Sequence, residues 1–130
     1  MDKRITLQGL APEHVDPSYY DQKHPVIYGE METSPAMPFA ACLQIIADGG
    51  TVTAGLIVRE ANAVTLLFSA STSFKGFDQM PGTNINEVIE RVYGTLDALK
   101  NSSYAELQER HIIDYQSLFN RGTRYTGSDR

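Results

Sequence analysis

Cysteine is nearly absent from this chain. Cys42 stands alone in 130 residues, inside an apolar run, and without a mate it can build neither a disulfide framework nor a thiolate cluster. It reads as a small buried hydrophobe. An excess of basic charge is also lacking: eleven Lys and Arg are scattered against sixteen Asp and Glu, for a net charge of -5. No cationic stripe exists to displace counterions from phosphates, so nucleic acid is not an expected partner. No apolar run approaches the ~20 residues that span a bilayer, and no membrane partner is expected. The start, Met1-Asp2-Lys3-Arg4-Ile5-Thr6-Leu7, enters a strand-like pattern directly, without the apolar core of a signal peptide. The expectation is a soluble chain that is either cytosolic or begins inside a longer polypeptide. GxGxxG and GxxxxGK[ST] glycine motifs are missing, as are internal repeats and low-complexity tracts. His14, His24 and His111 lie too far apart for metal-ligand spacing. No cofactor and no metal are expected.

What is present fits one globular domain, with 42% apolar and 21% charged residues. Ile5 to Gly9 alternates apolar and polar residues as a short strand does. Between Leu10 and Pro38 regularity is scarce, because Pro12, Pro17, Pro25, Pro35 and Pro38 each remove a backbone donor and restrict the residue before. Only Val26 to Tyr28 reads as a brief strand there, with Tyr19, Tyr20 and Tyr28 expected to pin the segment to the body. Phe39 to Ala47 resumes the period of two. Asp48-Gly49-Gly50 then tolerates positive φ and turns the chain into Thr51 to Thr53, predicting a hairpin. Ala54-Gly55 predicts a second tight turn or bulge before Leu56 to Val58, and Glu60-Ala61-Asn62 a third turn. Ala63 to Ala70 is the most apolar stretch, with Val64, Leu66 and Phe68 alternating with Thr65, Leu67 and Ser69. Large groups on both faces predict a central strand covered on both sides.

After Pro81-Gly82 the period changes to 3.6. Ile85, Val88, Ile89, Val92, Leu96 and Leu99 form one stripe behind an Asn84/Glu87 capping box, predicting a helix. Asn101-Ser102-Ser103 breaks it. Ser103 and Glu106 cap a second helix whose apolar face is Tyr104, Leu107, His111, Ile112, Tyr115, Leu118 and Phe119, ending near Gly122. The fold class is α+β: an antiparallel β-sandwich portion of short meandering strands followed by two C-terminal α-helices. The expected organisation is 1–80 partial sandwich, 81–122 helical linker hairpin and 123–130 disordered tail.

Residues that could carry chemistry are few. Ser71, Thr72 and Ser73 lack a GxSxG elbow and read as backbone-turning hydroxyls at a strand end. His111 and Asp114 have helical i, i+3 spacing, which can orient an imidazole, but their place on the apolar stripe reads as a core histidine and structural helix pair. Phe74, Phe77 and Asp78 surround Gly76 in the loop after the apolar strand. Aromatic faces with a carboxylate suit a sugar, and the same residues suit packing on a neighbouring domain. No catalytic residue is assigned.

Several of these stretches, taken in order, resemble glycoside hydrolase family 95, the α-L-fucosidases and related bacterial enzymes. They are Pro25-Val26-Ile27-Tyr28, Met37-Pro38-Phe39, Asp48-Gly49-Gly50-Thr51-Val52, Ala63 to Ala70, Thr72-Ser73-Phe74 with Gly76-Phe77-Asp78, and Tyr104, Leu107, His111-Ile112, Asp114-Tyr115, Leu118-Phe119 and Arg121. Members of that family join an N-terminal β-sandwich through a helical linker to an (α/α)6 barrel that holds the catalytic groups of an inverting glycosidase. The resemblance implies that this chain matches the second half of the sandwich plus the linker helices. It implies a non-catalytic role supporting the barrel, and export of the parent enzyme to the periplasm or cell surface. Ala54-Gly55 stands where the family has a longer turn, and Gly122-Thr123-Arg124-Tyr125 where an apolar segment continues. The alternative is a small carbohydrate-binding or protein-interaction module built on Phe74, Phe77 and Asp78. A stand-alone enzyme using His111 and Asp114 is a third reading. Expected partners are the catalytic barrel, an oligosaccharide, and a second copy, since an open edge strand and an uncovered helix stripe favour a homodimer.

Overall fold

The period-two run that opens at Pro38 forms the longest strand, and the rest of the sheet is laid against it. The computed structural model describes residues 4–53 and 55–122. Its strands are β1 (Arg4–Leu10), β2 (His14–Val15), β3 (Val26–Ile27), β4 (Pro38–Asp48), β5 (Thr51–Thr53), β6 (Ile57–Arg59) and β7 (Ala63–Thr72). Two helices follow, α1 (Ile85–Ala98) and α2 (Tyr104–Gly122). The architecture is α+β, with antiparallel strands first and helices last, as the periodicities predict. The chain forms two compact units, Met1–Ala98 and Leu99–Arg130. The first includes α1.

The main sheet has the order β1-β4-β7, all antiparallel. This corrects the reading of Ala63 to Ala70 as the central strand, since β4 holds the centre and β7 pairs with β4 alone among the described residues. Nor is β7 covered on both sides: Leu66 and Phe68 are 58% and 68% exposed, while Ser69 on the other face is buried. The glycine turn also leads elsewhere than a simple hairpin. Thr51–Thr53 pairs with Ile57–Arg59, and this small ribbon forms the connection between β4 and β7, whose own pairing runs unbroken from Phe39 opposite Thr72 to Asp48 opposite Ala63. The turn predicted at Ala54-Gly55 is seen at Gly55 and Leu56, both with positive φ, while Ala54 lies outside the described residues.

The segment rich in proline contains a two-stranded ribbon, of which Val26–Ile27 falls in the brief strand expected at Val26 to Tyr28 and His14–Val15 is the partner the sequence reading did not include. His14–Val15 pairs with Val26–Ile27, and the amides of Glu13 and Asp16 donate to the carbonyls of Ile27 and Pro25. Prolines flank these pairs without needing to donate. Tyr19, Tyr20 and Tyr28 are exposed, so they do not pin the segment by burial. Tyr19 and Tyr20 contact each other, with ring centroids 5.0 Å apart.

One face of the sheet receives α1. Register places Ala40, Cys42 and Ser69 on that face, small side chains that let a helix approach closely, and Val88, Val92 and Leu96 fill the space above them. Cys42 is buried as its sequence context predicts. Polar contacts fix the helix at both sheet edges. On the β1 side Thr6 Oγ1 and Tyr93 Oη are 2.8 Å apart, and Arg4 pairs with Asp97 while lying over the Tyr93 ring. On the β7 side Arg91 donates to the Thr72 carbonyl at 3.0 Å. At the N-terminus of α1, Asn84 Oδ1 accepts from the Asn86 amide, and its amide nitrogen donates to Glu87 Oε1, which realises the predicted Asn84/Glu87 cap.

In the second unit, α2 begins with a reciprocal capping box. The Glu106 amide donates to Ser103 Oγ at 3.2 Å, and the Ser103 amide donates to Glu106 Oε2 at 2.7 Å. No residue of α2 is buried. The tail predicted at 123–130 lies outside the described residues.

Candidate functional site

The aromatic loop grows directly out of β7. The Ser73 amide still donates across to the Pro38 carbonyl of β4, and the chain leaves the sheet after it, where the Phe74 amide turns back onto Thr72 Oγ1. The hydroxyls of Ser71 and Thr72 are thus used on backbone, Ser71 Oγ also taking a 3.4 Å contact from Arg91. Gly76 sits at φ 135°, a conformation other residues rarely adopt, and it swings the following residues outward. Phe77 is fully exposed and Phe74 is 60% exposed, with Asp78 also exposed beside them. An aromatic ring without protein cover and a nearby carboxylate are the elements of a sugar-stacking surface or of a domain contact. Ser73 Oγ beneath the loop is buried and has no protein partner.

His111 and Asp114 occur on the wall of a shallow open groove along α2, with Leu107, Arg110 and Ser117. The burial expected for His111 is not observed. It is exposed and stacks on Tyr115 at 6.2 Å, and Tyr115 stacks on Phe119 at 5.4 Å. The i, i+4, i+8 spacing of these rings makes the ladder legible in the sequence, where it reads as a core stripe. No hydrogen bond joins His111 to Asp114 among the described residues, so the imidazole is oriented by ring contact rather than by that carboxylate. Asp114 is the one carboxylate lining the groove.

Electrostatics single out the α2 cap. The Ser103 amide, then its hydroxyl, then Arg110 hold the Glu106 carboxyl below its ordinary value of 4.5. This is the signature of a helix cap rather than of a catalytic acid, whose pKa is raised. Among the described residues, no group of His, Cys, Asp and Glu side chains is arranged to hold a metal ion, and no helix is long and apolar enough to cross a membrane.

Sequence reasoning missed one surface. Register aligns Ile5, Leu43 and Phe68 in one row and Ile45 and Leu66 in the next, on the sheet face opposite α1. Ile5, Leu7, Val64, Leu66 and Phe68 there are all exposed. The signal was the apolar half of the alternation in β1 and β7.

No known protein-family model matches the chain. Over 90 residues it is 32% identical to α-L-fucosidase 2 of Arabidopsis thaliana, a match covering 65% of this chain and 11% of that protein. The matched part of the chain thus spans about a ninth of the relative's length. The chain is related to a glycoside hydrolase.

Proposed function

We propose that this chain is a non-catalytic portion of a glycoside hydrolase of the α-L-fucosidase type, supporting a catalytic barrel formed by other residues. The observation that carries the proposal is the 90-residue similarity to α-L-fucosidase 2, a protein many times longer than the matched segment. Inverting hydrolysis of a glycoside needs two carboxyl groups on opposite sides of the sugar, one to protonate the leaving oxygen and one to activate water. The α2 groove offers Asp114 alone, and Asp78 stands on an open loop. The parts that are well organised, the α1-covered sheet and its edge clamps, organise packing rather than chemistry. Its parent enzyme acts on α-L-fucosyl or related linkages and is exported to the periplasm or cell surface.

The test is hydrolysis of an aryl α-L-fucoside by the purified chain. No aryl alcohol above the buffer rate is expected, and turnover that scales with protein concentration overturns the non-catalytic reading. The full exposure of Phe77 favours a second reading, a small carbohydrate-binding or interaction module. That reading requires saturable amide shifts on titration with L-fucose, lost in Phe74→Ala and Phe77→Ala. Flat titrations eliminate it.

A further inference from the structure

We propose that the loop 16–25 is a glycan-binding surface, on which Tyr19 and Tyr20 stack against the pyranose rings of a neutral oligosaccharide. The loop joins β2 to β3, and its base is closed by two contacts. The Asp16 amide donates to the Pro25 carbonyl at 2.7 Å, and Asp16 Oδ1 lies 2.9 Å from His14 Nε2. Within the loop the Tyr20 amide donates to the Pro17 carbonyl at 2.9 Å, and the Gln22 amide to the Tyr20 carbonyl at 3.0 Å. A turn therefore runs from Pro17, whose φ is fixed by its ring, to Tyr20, and it carries both tyrosines. Tyr19 and Tyr20 are 79% and 56% exposed, and their rings meet with centroids 5.0 Å apart and planes at 58°. Each ring restrains the other while both stay open to solvent, which lowers the ordering cost for a ligand that stacks on them. Burial does not account for these rings, although they occupy a segment otherwise held by backbone bonds.

The neighbours of the two rings decide what kind of ligand fits. Beside its tyrosines and prolines the loop holds Asp16, Ser18, Asp21, Gln22, Lys23 and His24, and no Val, Leu, Ile, Met or Phe. The core of a protein interface is apolar and poor in charge, so a protein partner would meet two rings without the aliphatic surround that keeps water from a hot spot. A sugar makes the opposite demand. Its C–H faces suit an aromatic ring, and the hydroxyls around them suit amide, carboxylate, ammonium and phenol groups. Asp16 and Asp21 stand against Lys23, so the loop has no cationic excess with which to favour a phosphorylated or acidic sugar. Neutral pyranose residues match this set. The surface is separate in the chain from Phe74, Phe77 and Asp78, and it rests on the geometry of loop 16–25. Only the choice of a fucosylated sugar as probe rests on the α-L-fucosidase reading.

The experiment is an NMR titration of the intact chain with fucosyllactose and, separately, with cellohexaose. Saturable shifts of the Tyr19 and Tyr20 signals are expected, with affinity lowered about tenfold or more in Tyr19→Ala and in Tyr20→Ala. Tyr20→Phe keeps the stacking face and is expected to lose less than Tyr20→Ala. Tyr28→Ala removes a tyrosine that is also exposed but lies outside the loop, and it is expected to bind as the wild type does. Binding of cellohexaose alone, with the same tyrosine dependence, supports the surface and counts against the fucosidase reading, so the two can fail separately. Flat titrations with both sugars overturn the proposal. Binding that keeps its wild-type affinity in both alanine variants, or that is lost in Phe77→Ala while they retain it, overturns it as well. Should an alanine variant unfold, as judged by far-ultraviolet circular dichroism, the wild type decides the matter. Nuclear Overhauser contacts from the Tyr19 and Tyr20 rings to sugar C–H protons support the proposal, and saturable binding without them contradicts it.

Discussion

Single residues set the most local features of this protein, and two of them make sharp predictions. Glu106 accepts from both the amide and the hydroxyl of Ser103, which keeps its carboxyl below the ordinary 4.5. A carboxylate depressed in the folded state contributes stability that is fully present above its unfolded value and lost as pH falls through the folded one. The first turn of α2 is therefore expected to loosen below about pH 4.5, seen as loss of the hydrogen-bonded Ser103 amide shift in an NMR titration. Glu106→Gln is expected to flatten that titration, and a persistent transition in the variant would assign it to another group. Gly50 is the second case. Its φ is 62°, and a Cβ there would lie 2.2 Å from the Arg59 carbonyl oxygen. Gly50→Ala is expected to cost about 2 kcal/mol or more, through left-handed strain plus a backbone clash, measurable by denaturant unfolding. The capping residues and the glycine turn were legible in the sequence because their chemistry is local. His111 was not, since a stripe at helical spacing looks the same whether a partner covers it or leaves it open.

At the scale of elements, α1 and the β1-β4-β7 sheet depend on a match of large against small. Val92 and Leu96 are fully buried over Ala40 and Cys42. Leu96→Ala is expected to destabilise by about 2–5 kcal/mol through the cavity it leaves, and Cys42→Leu by about 1–3 kcal/mol through overpacking beneath the helix. Equal stabilities for wild type and both variants would contradict this packing. Helix α1 was legible because period, cap and stripe agree. The place of β7 was not, for a physical reason. Alternation in a strand reports which residues share a face, not whether anything lies on that face, and Val64, Leu66 and Phe68 read as covered when they are exposed. Of the β2–β3 ribbon only β3 was legible, at Val26 to Tyr28, because a two-residue strand such as His14–Val15 has no period to detect.

For the whole molecule, the sheet is apolar on both faces and α1 covers one of them. A protein built this way needs a second layer to bury the other, as layered domains generally do. The α+β class followed from the order of the periods, whereas the glycosidase relationship needed several weak motifs in sequence and then the 32% identity over 90 residues. The candidate site stayed less legible than the fold. Phe74, Phe77 and Asp78 are exposed together, yet exposure alone suits a sugar and a protein surface equally.

The central claim is that these residues support a catalytic barrel rather than act alone, and the genomic DNA on both sides of the reading frame tests it most directly. The account predicts that the frame continues into sequence with the period of barrel helices and carries the paired carboxylates absent from the surfaces described above. Stop codons closing the frame immediately on both sides would contradict it and leave the binding-module reading in its place.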